Sequence, residues 1–423
     1  MCYSGASLPS LTPQLGTPMD STPIWRKPVF ILICCIVMVM VSYGTRQSFG
    51  LFMRPMSLDM GWGREVLSFA IATQNLLIGA GAPFAGALSA RWGAAKTIGL
   101  GGALYAAGLF CMSQSTTPEG LFFSSGILGG LGLSGCGVPL IAGVVGQVAP
   151  ARLRTTWIGL ITGSATAGQL VMLPFAQYLL SSYDWIFAIV VMSVLASLIL
   201  PIAIGMASAS NAADKANPQT QSIASALSEA GGHRGFLLLT LGFYVCGFQV
   251  QFIGSHAPAY IVDRGGTPEM GAMALMLIAL FNMIGSWACG WIGDRFRKKY
   301  ALSILYTSRS LLIAGFFLLP MTPVTVAIFA AGVGLTWLGT LPLTSGIIID
   351  VFGVRYMAML FGVVFFSHQL GSFTGVWLGG YVFDATGSYD MIWWIAIALG
   401  FTTALIHLPI DDRPLARMET AKA

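Results

Sequence analysis

Twelve runs of roughly 20 mostly apolar residues, separated by short polar breaks, recur along this 423-residue chain, and that is the length needed to cross the hydrocarbon core of a bilayer. They fall near 29–52, 65–88, 97–113, 119–148, 155–180, 183–205, 235–260, 268–293, 300–319, 323–350, 356–382 and 388–409. In lipid the backbone has no water to bond. Each run must therefore satisfy its own N–H and C=O groups as an α-helix, and the runs are too long for barrel strands. Charged residues make up only 9% of the chain, against roughly a quarter in soluble domains. The expected fold class is an all-α integral membrane protein with twelve transmembrane helices.

The basic residues give the orientation. Of 21 Lys and Arg, sixteen fall in the loops and tails that share a side with both termini, among them Arg91, Lys96, Arg152, Arg154, Arg297, Lys298 and Lys299. Only Arg54, Arg64 and Arg264 fall opposite, and Arg46 and Arg309 lie inside helices. The positive-inside rule makes the first side cytoplasmic, so both termini are expected in the cytoplasm and the protein in a plasma membrane, with a bacterial inner membrane as the expected setting. The net charge of +5 then reports topology, not nucleic-acid binding. The first ~28 residues lack a cleavable signal pattern, so the first helix should stay in the mature protein.

Enzyme signatures are missing. The seven cysteines have neither metal-ligand nor disulfide-framework spacing and read as small hydrophobes. Gly130-Leu-Gly132-Leu-Ser-Gly135 fits a dinucleotide fingerprint, but it lies inside an apolar helix with no strand before it. Small residues there suit close helix packing. No P-loop, H-E-x-x-H or nucleophile elbow occurs, so no enzyme activity, metal or cofactor is expected.

The chain also repeats itself. Gly86-Ala-Leu-Ser-Ala90-Arg91 returns as Gly290-Trp-Ile-Gly-Asp294-Arg295, an offset of 204. Pro139-Leu140 with Gly143 returns as Pro342-Leu343 with Gly346 at 203, and Ser182-Tyr183-Asp184 returns as Ser388-Tyr389-Asp390 at 206. Six helices separate the copies, so the halves share an orientation and are related by an axis along the membrane normal. The domains expected are a cytoplasmic tail over 1–28, six-helix bundles over 29–205 and 235–409, a flexible cytoplasmic linker over 206–234, and a cytoplasmic tail over 410–423.

Six plus six helices, a long central loop and Gly290-x-x-x-Asp294-Arg295 followed by Arg297, Lys298 and Lys299 resemble the major facilitator superfamily and its loop motif. The likeness implies the major facilitator fold and a gating role for Gly86, Arg91, Gly290, Asp294 and Arg295. Ala90 stands where the family usually has Asp in the first copy. Ser42-Tyr43 with Phe52, Arg154 with Gly159 and Gly168, and Leu280-Phe281-Asn282 are similar to the monocarboxylate transporter and oxalate/formate exchanger group. The family's eighth-helix arginine aligns with Ser286, its eighth-helix acid with Asn282, and its first-helix basic residue with Gln47, one step from Arg46.

A charge in the membrane interior costs about 2.5–3.5 kcal/mol for Arg on insertion scales, so embedded charges are functional candidates. Arg309 sits nine residues into a helix starting near Tyr300, about 13.5 Å deep at 1.5 Å per residue. Arg46 sits in the outer half of the first helix. Facing a cavity between the halves, both would offer planar forks for a carboxylate; the alternative for either is to cap backbone carbonyls or to snorkel. No Asp or Glu is similarly embedded, which favours an anionic substrate. Arg309 would stand in for the missing family arginine.

Proton coupling needs a group titrating near neutrality, and His368 in the eleventh helix is the candidate, with a packing histidine as the alternative. His256 is a weaker candidate for the same role, with a place at a gate or kink as the alternative, while His233 and His407 are expected at the membrane surface. Tyr43, Gln47, Gln74, Asn75, Tyr244, Gln249, Gln251 and Asn282 are polar groups that line a cavity or bond between helices. Trp337 reads as packing.

The function expected is secondary active transport of a small organic anion, a monocarboxylate, by alternating access, driven by protons or a counter-anion. Arg46, Arg309, Gln47, Tyr43 and Asn282 would bind it, and the working unit expected is a monomer. The rival is a proton-coupled exporter of hydrophobic drugs or metabolites, which the same fold permits.

Overall fold

The computed structural model describes residues 27–62, 64–206 and 222–415. Twelve of its helices are long and apolar enough to cross a membrane. They are α1 (Pro28–Phe52), α2 (Phe69–Trp92), α3 (Ala94–Ser113), α4 (Pro118–Val148), α5 (Ala151–Ser182), α6 (Trp185–Met206), α7 (Arg234–Asp263), α8 (Glu269–Arg295), α9 (Lys298–Leu318), α10 (Pro323–Phe352), α11 (Met357–Phe383) and α12 (Asp390–His407). Their ends lie within a few residues of the positions read from hydropathy. With an even number of spans, α1 starts and α12 ends at the same end of the molecule, called here the terminal end; the other is the far end.

Local sequence explains where the spans start and bend. Thr117, Asp184, Thr267 and Thr322 cap helix starts through side-chain oxygens, supplying an acceptor to N–H groups that lack a partner in the first turn. Two spans are interrupted at matching places in the repeat. In α4 the backbone is extended at Gly137, just before Pro139. The helix of α10 stops at Thr336 and restarts at Thr340, just before Pro342. A proline cannot donate to the preceding turn, and its ring crowds that turn.

The polar stretch expected to be a flexible linker over 206–234 is in part a helix, Ile223–Gly232, capped by Ser222. Ala226 and Ala230 recur every four residues and are buried, so a short apolar face gives the segment something to pack. Residues 207–221 of that stretch lie outside the described residues, as do most of the N-terminal tail and the last eight residues.

The halves meet along two seams. At one, a Cβ added to Gly290 of α8 would lie 2.5 Å from the carbonyl of Thr155 in α5, and one added to Gly159 would lie 2.5 Å from the carbonyl of Ser286. At the other, a Cβ on Gly86 of α2 would lie 2.5 Å from the backbone of Met359 in α11, and one on Gly362 would lie 2.7 Å from Ala82 and Pro83. Only glycine lets backbones come this close. The 203–204 repeat thus places equivalent glycines at the two seams, Gly86 and Gly362 at one and their counterparts Gly290 and Gly159 at the other.

His407 is the last residue of α12 and is enclosed by protein there. It is 1% exposed, its Nδ1 lies 2.7 Å from the Thr403 carbonyl, and its ring stacks on Tyr306. The chain after α12 folds back across the terminal end, where Lys299 donates to the Ile410 carbonyl and Leu415 N–H to that of Val351.

Candidate functional site

A cavity of about 390 Å³ lies between the halves and is lined from both. Tyr43, Arg46 and Gln47 belong to the far half of α1, Gln251 and Ser255 to the far half of α7, and His368 to the middle of α11. The cavity therefore occupies the middle and the far half of the molecule. Arg46 is the only Lys, Arg, Asp or Glu among its lining residues.

Arg46 is held from α2. Its Nη2 donates to Asn75 Oδ1, and its guanidinium lies 5.8 Å from the Tyr43 ring. Its Nε is buried with no hydrogen-bond partner. Beside it, Gln47 Nε2 approaches Gln169 Oε1 at 3.5 Å. Part of the fork is thus committed to a neutral amide, and part is unspent.

Arg309 does not join this cavity. It is fully buried and absent from the cavity wall, and it points into the break of α10. It donates to the carbonyls of Thr336 and Trp337 and lies 3.5 Å from Cys246 Sγ and from Gln249 Oε1. The reason is local. Where α10 stops, its last carbonyls have no N–H one turn on, and a guanidinium carries five donors to satisfy them. Of the two alternatives for Arg309, capping of carbonyls describes the geometry.

Asn282 serves the other side of the same break. Its Oδ1 accepts from Leu338 N–H at 3.0 Å and Ser286 Oγ at 3.2 Å. Its Nδ2 donates across the halves to Thr166 Oγ1 at 2.7 Å. It also lines the cavity, so one amide joins the cavity floor, the α10 break and α5.

His368 lies on the cavity wall at 6% exposure, with Phe243 and Phe365 against its ring. Its Nδ1 lies 3.2 Å from Gln369 Oε1, while Nε2 is buried without a partner. His256 is elsewhere, bonded to Tyr389 and to the Val376 carbonyl near the far end.

The terminal end is closed across both seams. Asp294 of α8 accepts from the backbone N–H groups of Thr155 and Thr156 at 2.9 and 2.7 Å, placing a carboxylate at the start of the long helix of α5, where the dipole favours it. In the first copy of the motif, where Ala90 replaces the acid, Arg355 reaches across from the start of α11 and donates to the Ala90 carbonyl at 3.0 Å. The two motif arginines do not cross. Arg91 is exposed, and Arg295 stacks on Trp291 at 3.9 Å.

Sequence reasoning passed over Thr162, Thr166 and Gln169, all on the cavity wall. Their spacing of four and three residues puts them on one helix face, a polar stripe readable in an otherwise apolar run. Trp337, read as packing, also lines the cavity. Arg355 carried no signal, because its partner is a backbone carbonyl.

Two six-helix bundles around a central polar cavity, sealed at one end, define a membrane transporter of the two-bundle type. The chain belongs to the Major Facilitator Superfamily, whose family model matches residues 32–375. It is 26% identical to monocarboxylate transporter 13 of Rattus norvegicus, across 87% of this chain and 85% of that protein. It is also 26% identical to the uncharacterized MFS-type transporter YcxA of Bacillus subtilis (strain 168), across 93% and 97%. Among solved structures, the proton:xylose symporter XylE superposes with a TM-score of 0.70 at 13% identity, across 93% of this chain and 98% of that one. The E. coli fucose:proton symporter FucP superposes with a TM-score of 0.66 at 16% identity, across 90% and 99%. The protein is thus a facilitator-superfamily transporter similar to the monocarboxylate transporter group.

Proposed function

We propose that this transporter carries a small organic anion, a monocarboxylate, by alternating access coupled to protons. The observation that carries the reading is Arg46, the one Lys, Arg, Asp or Glu side chain on the cavity wall among the described residues. A carboxylate accepts charge-assisted hydrogen bonds that a neutral amide cannot match, so a substrate anion displaces Asn75 from the fork, and the freed guanidinium turns toward it the Nε that is buried here. Tyr43 and Gln47 stand beside it on α1. One cation suits one carboxylate. A second acid group on the substrate would be desolvated without a partner.

The cycle follows from the two ends. Here the terminal end is latched by Asp294 and the cavity reaches the far half. Substrate enters from the far side, the halves rock, the far end closes, and Asp294 leaves the start of α5. The sixteen-to-three distribution of basic residues supports placing the terminal end in the cytoplasm, so the state described is outward-facing. His368 is the proton carrier in this reading, supported by its position on the wall and its unpartnered Nε2.

Thermal stabilisation of purified protein tests the substrate class, since a ligand of the native state raises apparent stability. Pyruvate and lactate are expected to raise the melting temperature of wild type and not of Arg46→Gln. Stabilisation by lipophilic cations alone would overturn the reading in favour of drug export.

A further inference from the structure

At the cavity end of the α2–α11 seam, Gly79 packs against the side chain of Gln369, and Gln369 Nε2 donates to the backbone carbonyl of Asn75 at 3.1 Å. With its nitrogen committed to α2, Gln369 turns its oxygen toward Nδ1 of His368 at 3.2 Å. An amide oxygen only accepts, so Nδ1 carries the ring proton. Ser372 agrees. Its hydroxyl donates to the His368 carbonyl at 2.9 Å, which leaves a lone pair facing Nδ1 at 3.4 Å. The neutral ring then presents Nε2 as its bare nitrogen; that atom makes no hydrogen bond of normal geometry, and the Cys246 thiol is the side chain within bonding reach of the ring.

We infer that Gln369 is a positioning residue that fixes the tautomer of His368, makes Nε2 its proton-accepting atom, and does so only while α2 and α11 are packed as they are here. The inference rests on the proton-coupled reading of the same site. Once the wall opens to water at Nε2, which is buried here, a hydronium gives its proton to that atom, an N–H bond forms, water is left behind and the ring becomes imidazolium. Rocking of the halves breaks the Gln369–Asn75 bond, because its two ends belong to different bundles. Gln369 then no longer dictates which nitrogen keeps a proton, and the ring discharges to the opposite side.

Asn75 is shared with the anion site, since its side chain holds Arg46 and its carbonyl holds Gln369. The ionisable groups around His368 are Cys246 of α7, in contact with it; Arg309 of α9, behind Cys246, with Tyr306 beside it; and Arg46 of α1, with Tyr43, beyond Asn75. None is a carboxylate. Neither α2 nor α10 brings a titratable side chain to the ring, the latter facing Cys246 with Thr340.

The test reads the tautomer directly and needs no substrate. The full-length protein, 15N-labelled at histidine in lipid nanodiscs at about pH 8, is measured by solid-state NMR, with His368→Asn assigning the signal. The inference expects the Nδ1–H form to dominate in wild type, to fall to a minority in Gln369→Leu, and to return in Gln369→Glu, which keeps an acceptor for Nδ1. Nε2–H in wild type, or an unchanged tautomer in Gln369→Leu, would overturn it, and the wild-type spectrum alone decides the first point if the variant does not fold. Failure of wild-type proteoliposomes to take up pyruvate would instead remove the carrier reading, leaving the tautomer result to stand by itself.

Discussion

The guanidinium of Arg309 and the carbonyl of Trp337 lie 2.8 Å apart, which ties the most deeply buried cation among the described residues to the break in α10 instead of to the transport cavity. Two arginines in helix interiors therefore have different work. Arg309 supports a helix interruption, and Arg46 faces the cavity.

Replacing Arg309 should accordingly harm stability more than selectivity. Arg309→Met leaves the Thr336 and Trp337 carbonyls without donors in a dry interior, a loss of about 3 kcal/mol. A fall in melting temperature and membrane yield is expected in detergent, with the protein that survives still stabilised by pyruvate. Full stability with abolished anion binding would return Arg309 to the cavity.

The latch predicts a shift between conformations. Asp294→Asn removes the charge from the start of α5, a change of about 1–2 kcal/mol, or roughly tenfold in population. Spin labels on the α2–α3 and α8–α9 turns should then report a new, longer distance by double electron–electron resonance, which wild type shows rarely.

Gly159→Val makes the same point through sterics. Its Cβ would lie 2.5 Å from the Ser286 carbonyl, an overlap that backbone must relieve. The halves should separate at the terminal end, giving the same long distance as Asp294→Asn with transport lost. A wild-type distance distribution would show that the α5–α8 seam does not set the state.

The tail after α12 should respond to acid. Burial alone would raise the Asp412 carboxyl, but the hydrogen bond and charge of Arg297, with Lys299 nearby, outweigh it and hold it below the usual range. A depressed carboxyl stabilises docking above its unfolded value, near 3.9, and loses that contribution as pH falls through the lower folded value. Protease cleavage after α12 should increase below about pH 4 in wild type, and at neutral pH in Asp412→Asn.

How far the sequence could be read depended on what each residue touches. The spans were legible because lipid imposes length and apolarity on each separately, and the repeat was legible because Gly86 and Gly290 do the same packing work at two equivalent seams. The depth of Arg309 followed from counting residues; its partner did not, because the Thr336–Gly339 break sits inside an apolar run that hydropathy passes over. Asn282 was legible as a polar residue in lipid, and Ser286 four residues on is a partner that spacing within α8 allows, but its bonds to Thr166 and Leu338 depend on α5 and α10. The short helix in the linker was missed because two alanines are a faint apolar face.

The most direct measurement is uptake of labelled pyruvate by proteoliposomes under an inward proton gradient, comparing wild type with Arg46→Gln at matched protein levels. Loss of a hydrogen bond to a charged group, about 3 kcal/mol, predicts that uptake falls roughly 100-fold in the variant, while its melting temperature stays near that of wild type. Undiminished uptake by Arg46→Gln, or none by wild type for any monocarboxylate tried, would contradict anion carriage through this cavity.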